Sequence, residues 1–460
     1  MHQVFIGGIA YLQWYKWSVL EKMEKAFHPG YDPALELATH HTKQPDYPDE
    51  SIDDNFWTTT LRRKEQDLID HIVHGHEVGH YYMLLGPKGS GKGTMVIESM
   101  ATCQADGVSI CDAHPDLEVF RLRLGKALNY EYFEDSQTGL FQRRDPREGG
   151  PRLDIERALN KLEKVALRCV HKRKKPLVLI INNVHYFKND DEGRNMLLQL
   201  QQKAEAWAAS GILTVVFSSD DFWPFHVMRK SASRMTILSI SDLNDKEALQ
   251  AASRFRNTSK QKKATKEDLR EAVSLVGGRL SYLNRVRFVS RSGDMVGTAN
   301  HLLSVEKGWL LSQIGLIPDC DDDVMDEQKW SSCSWLLLRE FVKLRQEQVK
   351  ERNEAIEAGT LDTTNNELPL PTLPYWKCRQ IMTRADFMEG IVELNVRPDS
   401  MLILHAAQQV VEEEGFDDLL EGVRDRIDEI ESLHRTRELT VSHKFLFGYI
   451  QAEKKLTTNP

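Results

Sequence analysis

The chain has 460 residues, 41% hydrophobic and 28% charged, with 27 Gly and 16 Pro. This is ordinary globular composition and enough length for about three domains, so collagen-like, wholly disordered and miniature disulfide-stapled architectures are excluded. Lys plus Arg total 60 against 69 Asp plus Glu, a net charge of -9, so any binding of nucleic acid or anionic lipid would have to be local. The six cysteines, Cys103, Cys111, Cys169, Cys320, Cys333 and Cys378, form no C-x-x-C pair. That scatter points to a reducing, intracellular compartment. No stretch reaches the roughly 18 to 20 apolar residues that span a bilayer.

In chain order, Val4 to Trp17 is apolar and carries Tyr11, Trp14, Tyr15 and Trp17. The pattern of a signal peptide is not seen, and a helix packed on the main domain or a membrane-surface contact would both use these aromatics. Trp17 to Phe27 has a helical pattern, followed by a connector with Pro29, Pro33 and the acidic run Asp46 to Asp54. Leu68, Ile69, Ile72 and Val73 give Gln66 to His74 one apolar face, a helix that Gly75 and Gly79 end. Strands are predicted at Tyr81 to Leu85, Gly107 to Cys111, Pro176 to Ile181, Ile212 to Phe217 and Met235 to Ile240, with helices at Asp116 to Asn129, Asp154 to His171 and Arg194 to Ala209. Continuous apolar runs such as Pro176 to Ile181 suit strands covered on both faces, and the alternation predicts an α/β, doubly wound parallel sheet.

Beyond Asp242 only helical patterns follow, at Lys246 to Phe255, Glu267 to Val276, Leu280 to Val289 and Val296 to Leu316, with Lys260 to Lys266 as a solvated loop. The tracts Cys320 to Asp323 and Glu357 to Pro374 bracket one long helix, Trp335 to Glu354. The last 85 or so residues read as short helices with a small sheet.

The segment Gly86-Pro87-Lys88-Gly89-Ser90-Gly91-Lys92-Gly93-Thr94 follows a predicted strand and opens a predicted helix. A glycine-rich turn in that context aims backbone N–H groups at an anion, with the helix N-terminus behind them and the Lys92 ammonium reaching the outer phosphates. Gly93 stands where a hydroxyl usually meets magnesium, so Thr94, one residue later, or water would complete the metal shell. The G-K-G-T ending also occurs in adenylate-kinase-like enzymes, but their loop lies near the start of the chain, whereas 85 residues precede this one. The buried strand after Pro176 ends in Asn182-Asn183, where P-loop ATPases hold magnesium and polarise the attacking water with carboxylates. An amide orients a water but takes no proton from it. Asp190 and Asp191 are better read as the N-cap and acidic first turn of the next helix.

These residues, with Asn182-Asn183-Val184-His185, Ser218-Ser219-Asp220, Ser233-Arg234 and Gly277-Gly278-Arg279, resemble fungal AAA-type ATPases of the origin-recognition and archaeal-ATPase-like branch, over roughly Arg62 to Val441. The resemblance implies ATP and Mg2+ as ligands, a γ-phosphate sensor at Ser218 or Ser219, an arginine finger at Arg234 for a neighbouring subunit, a second sensor at Arg279, and a C-terminal winged helix. It divides the chain into an N-terminal helix and linker (1–60), an ATPase core (61–241), a helical lid (242–316), a connector with a long helix (317–374) and a winged-helix-like α+β domain (375–445). The expected function is ATP binding, with slow hydrolysis, coupled to conformational change or to assembly as a homo-oligomer on a protein partner. The alternative is a nucleotide-stabilised scaffold without turnover.

A remoter reading is a zinc metalloprotease, from the H-E-x-x-H spacing of His76, Glu77 and His80. That chemistry needs both histidines on one helical face, and Gly75 and Gly79 argue against a helix there. Residues 370–460 carry 11 Lys plus Arg and 16 Asp plus Glu, a balance of -5, which favours a protein partner over DNA. Arg379, Arg384 and Arg397 are the basic patch through which nucleic acid could still bind.

Overall fold

The computed structural model describes residues 2–32, 35, 62–132, 150–258, 265–289, 294–358, 368–382 and 395–433. The acidic run Asp46 to Asp54, most of the Lys260 to Lys266 loop, Arg384 and everything after residue 433 lie outside them. The chain divides into two compact units, Met1–Asp242 and Leu243–Pro460.

The first unit begins with helix α1 (His2–Lys25), which extends the predicted helix to the N-terminus. Then come α2 (Gln66–Val73), β1 (Tyr81–Leu85), α3 (Lys92–Thr102), β2 (Val108–Asp112), α4 (Leu117–Ala127), α5 (Gly150–Arg173), β3 (Leu177–Asn182), α6 (Asp191–Ser210), β4 (Leu213–Ser219), α7 (Trp223–Arg229) and β5 (Met235–Ser239). Every pairing in the sheet is parallel, in the order β2-β3-β4-β1-β5. The five predicted strands are all present, each within two residues of its expected bounds. β3 and β4 read as unbroken apolar runs because the sheet buries them on both faces, Leu177 to Ile181 being no more than 1% exposed. Asp190 accepts the Gly193 N–H and caps α6, with Asp191 and Glu192 in the first turn, as its sequence suggested. α7 carries no signal beyond a Pro at its start.

β1 leads to β2 on the far edge of the sheet, while β4 leads to β5 across β1, so chain direction reverses about β1. In open parallel sheets ligands bind outside the carboxyl ends of the strands at such a switch point. The turn from β1 into α3 occupies it.

The second unit holds α8 (Asp245–Thr258), α9 (Lys266–Val276), α10 (Leu280–Val289), α11 (Met295–Ile314), α12 (Met325–Glu357), α13 (Tyr375–Met382), α14 (Met401–Val411) and α15 (416–433). β6 (Leu373–Pro374) and β7 (Asn395–Val396) form a two-stranded antiparallel sheet. α12 is longer than the predicted Trp335 to Glu354, and its Trp335, fully buried, packs edge-on to Phe416 and donates its indole N–H to the Ile314 carbonyl at 2.5 Å. One core thereby joins α11, α12, α14 and α15. Trp335→Ala removes both the ring and the partner of a half-buried carbonyl, and a loss of about 3–5 kcal/mol is expected, measurable by urea denaturation of the full chain.

Candidate nucleotide site

The loop between β1 and α3 is built by close backbone approach. A Cβ at Gly86 would meet the Ile240 carbonyl oxygen at 2.3 Å, and the Ile240 N–H donates to the Leu85 carbonyl at 2.7 Å, so the loop starts seated against the end of β5. Gly89 and Gly91 take φ of +83° and +97°, a region that side chains disfavour. Arg63, nearly buried, holds the loop from outside: it donates to the Ser90 carbonyl at 2.8 Å and to the Ser241 carbonyl at 2.5 Å. No sequence motif flagged Arg63; its role depends on a contact 27 residues along the chain.

Lys92, 5% exposed, is the first residue of α3. Its Nζ donates to the Gly86 carbonyl at 2.6 Å and the Pro87 carbonyl at 2.9 Å, and lies 2.7 Å from Asp220 Oδ1. Lys88 and Thr94 are exposed, and Gly93 has open space around it. The Ser90 hydroxyl, in the same loop, is buried without a hydrogen-bond partner. An orphaned buried hydroxyl beside a buried ammonium, inside a turn of backbone N–H groups, fits a phosphate chain.

The neighbouring strand ends carry polar groups. Ser218 and Ser219 of β4 pair in register with Leu84 and Leu85 of β1, directly beside the loop, and the Ser219 hydroxyl donates to the Asp221 carbonyl at 2.6 Å. Asn182, at the end of β3, donates its amide to Asp112 Oδ1 at the end of β2, 2.8 Å away. Asn183 follows in the left-handed region at φ +56°, which asparagine tolerates better than most residues. The Asp220 backbone N–H donates to His185 Nδ1 at 3.1 Å, and His185 Nε2 lies 3.8 Å from Asp220 Oδ2. Burial holds the His185 imidazole below its ordinary range against the pull of Asp220 and Asp221, so the ring is neutral at pH 7. Asp112 gave no signal in the sequence, and His185 and Asp220 stood there only as the last residues of motifs read for other positions, since only pairing of distant strands brings the three to one end of the sheet.

Arg234 precedes β5 at the opposite end of the sheet. Its carbonyl accepts the Tyr81 N–H, and its guanidinium donates to the Gly79 carbonyl at 3.4 Å. Glu205 of α6 fixes this turn, accepting the backbone N–H groups of Ser233 and Arg234, the Ser233 hydroxyl and the Tyr81 hydroxyl. Burial opposes ionisation of Glu205, but these donors hold it below the usual carboxylate range. In the second unit, Gly277 ends α9 with φ +77°, and a Cβ at Gly278 would collide with the Leu243 carbonyl. Arg279 is 3% exposed, donating to the Asp399 carboxylate at 2.5 Å and to the Asp399 carbonyl.

His76, Glu77 and His80 fall in the irregular turn between α2 and β1, not on a helix. His76 Nε2 meets Lys175 Nζ at 2.9 Å, and the Tyr82 hydroxyl donates to Glu77 at 3.4 Å. Among the described residues no group of three or more His, Cys, Asp or Glu is arranged to hold a metal ion, and no helix is long and apolar enough to cross a membrane.

The parallel sheet and the glycine-rich turn from β1 into α3 define an α/β fold of the P-loop type. Residues 311–431 match the family described as fungal AAA protein, C-terminal winged helix domain, a span that takes in α12. Solved structures similar to it include the Walker-type ATPase of Pyrococcus abyssi (13% identity, 76% of this chain and 96% of that one, TM-score 0.45). Cdc6p from Pyrobaculum aerophilum is another (12%, 84% and 97%, TM-score 0.32), as is AMPPCP-bound DnaA from Aquifex aeolicus (10%, 81% and 97%, TM-score 0.34). No curated protein matches the chain.

Arg63→Ala would leave two carbonyls without their charged donor. A loss of about 2–3 kcal/mol in urea denaturation is expected, with weaker nucleotide binding because the Ser90 turn is freed.

Proposed function

We propose that the chain binds ATP in the β1–α3 loop and couples binding, with slow hydrolysis, to conformational change or to assembly on a protein partner. The observation that carries this reading is the buried Lys92 ammonium, enclosed by the loop carbonyls beside an unpartnered Ser90 hydroxyl. Lys92 would exchange those carbonyls for phosphate oxygens, while the loop N–H groups and the α3 N-terminus hold the rest of the chain of phosphates. Magnesium, when bound, would neutralise phosphate charge; Asp220 and Thr94 are the side chains of the loop region suited to it. Ser218 or Ser219 would sense the γ-phosphate from β4.

Slow hydrolysis is supported by the chemistry at the end of β3. Asn182 is engaged with Asp112, and neither asparagine can accept a proton from water. A scaffold that binds nucleotide without turnover is the limiting case of the same observation. Arg234 supports assembly: it stands at the other end of a five-residue strand from the loop, about 15 Å away along β1, so it would serve a nucleotide held by a second copy. Arg279 as a second sensor would trade its Asp399 partner for a phosphate. A protein partner for the C-terminal domain and a reducing, intracellular setting belong to the same proposal, the first supported by the acidic balance of residues 370–460.

Calorimetry of the full chain with ATP tests the central point. Wild type should bind, Lys92→Ala should show no heat of binding, and steady-state turnover should stay below about 1 per second; unchanged affinity in the variant would remove the basis of the reading. Light scattering tests assembly. ATP should raise the mass of wild type but not of Arg234→Ala, and a strict monomer at all concentrations would reduce Arg234 to a surface residue.

A further inference from the structure

We propose that Asp220, at the end of β4, is the carboxylate that receives the metal ion accompanying the nucleotide phosphates, in place of the two asparagines that close β3. The inference rests on the ATP reading above.

Position is the first argument. The strand order β3-β4-β1 sets β4 beside the loop-bearing strand, one strand nearer to it than Asn182 is. Ser219 pairs in register with Leu85, so the next residues, Asp220 and Gly86, leave the sheet at the same level. The result is an Asp220 oxygen 2.7 Å from the ammonium that reaches for the outer phosphates. A carboxylate so close to that ammonium is also close to any cation bridging the same phosphates, directly or through one of the waters magnesium retains.

The second argument is how Asp220 is held. Its backbone N–H donates to His185 Nδ1. That bond requires an unprotonated Nδ1, so the ring proton lies on Nε2, which faces Asp220 Oδ2 at 3.8 Å. His185, two residues beyond Asn183, therefore ties the end of β3 to the end of β4. It fixes the Asp220 backbone, from which the carboxylate projects. The side chain of Asp220 keeps 20% of its surface exposed, enough to meet a hydrated ion.

Third, the buried Ser90 hydroxyl in the loop that Lys92 closes has no partner, which points independently to a ligand there. Of the other carboxylates near by, Asp112 lies on the edge strand β2 beyond β3 and is occupied by the Asn182 amide, and Asp221 is exposed, one residue further from the sheet than Asp220.

Electrostatics fixes the functional consequence. With no cation, Asp220 repels the phosphates and competes with them for Lys92; with a divalent cation it attracts. The loop should then discriminate the metal complex of ATP from free ATP through this residue.

The test is ATP affinity of the full-length protein in Mg2+ and in EDTA, for wild type, Asp220→Asn and Asp112→Asn, with thermal melts as a check on folding. Mg2+ should tighten binding at least about tenfold in wild type and in Asp112→Asn, but no more than about twofold in Asp220→Asn, whose affinity in EDTA should equal or exceed that of wild type. Asp220→Ser serves if Asp220→Asn does not fold. An unchanged Mg2+ ratio in the Asp220 variants would overturn the proposal, as would loss of the ratio in Asp112→Asn alone, or wild-type binding that ignores Mg2+. No binding by wild type in either buffer would overturn it by a different route, because the ATP reading itself would have failed.

Discussion

The Lys92 ammonium is taken out of water inside the turn between β1 and α3, and a buried cation is tolerable only where its protons are met. It has three protons and three partners: the Gly86 and Pro87 carbonyls and the Asp220 carboxylate. That constraint reaches through the unit. The loop can fold over the lysine only because Gly86 lets the backbone touch Ile240 at the end of β5, and because Arg63 ties the far side of the loop to Ser241. β4 must lie beside β1 to deliver Asp220. Sheet order, glycine placement and one nearly buried arginine therefore converge on a single charge.

Charge at the strand ends is unevenly distributed. β3, between β2 and β4, ends in two neutral amides, while its neighbours end in Asp112 and Asp220. One of these carboxylates is spent on an amide and the other on a lysine. The opposite end of the sheet is organised by a different ion: Glu205 gathers four donors from β1 and the turn before β5. The second unit repeats the pattern with Arg279, buried and answered by Asp399 rather than by solvent.

The same physics separates true motifs from coincidences of spacing. Gly277-Gly278-Arg279 reads as a sensor signature, yet its glycines are first required by a positive φ and by contact with the Leu243 backbone. His76, Glu77 and His80 have metalloprotease spacing, but without helical periodicity they do not converge, and His76 spends its Nε2 on Lys175. Trp335 shows how far tertiary packing extends an element: the long helix starts ten residues before it because α12 buries that turn as well, with Gln328, Ser331 and Ser332 inside.

The amino-acid sequence by itself determined the five strands, most of the helices and the phosphate loop. Each of these depends on short-range causes: unbroken apolar runs, 3.6-residue periodicity, and glycines where side chains would clash. It also exposed the missing carboxylates at Asn182 and Asn183, since a residue's chemistry is visible without its position. Partnership was decided only in three dimensions. Arg63 meets Ser241 across 178 residues, Asp112 meets Asn182 across 70, and Lys92 meets Asp220 across 128. No local pattern records such pairings, because parallel strands joined by crossover helices place next to one another residues that the chain keeps far apart.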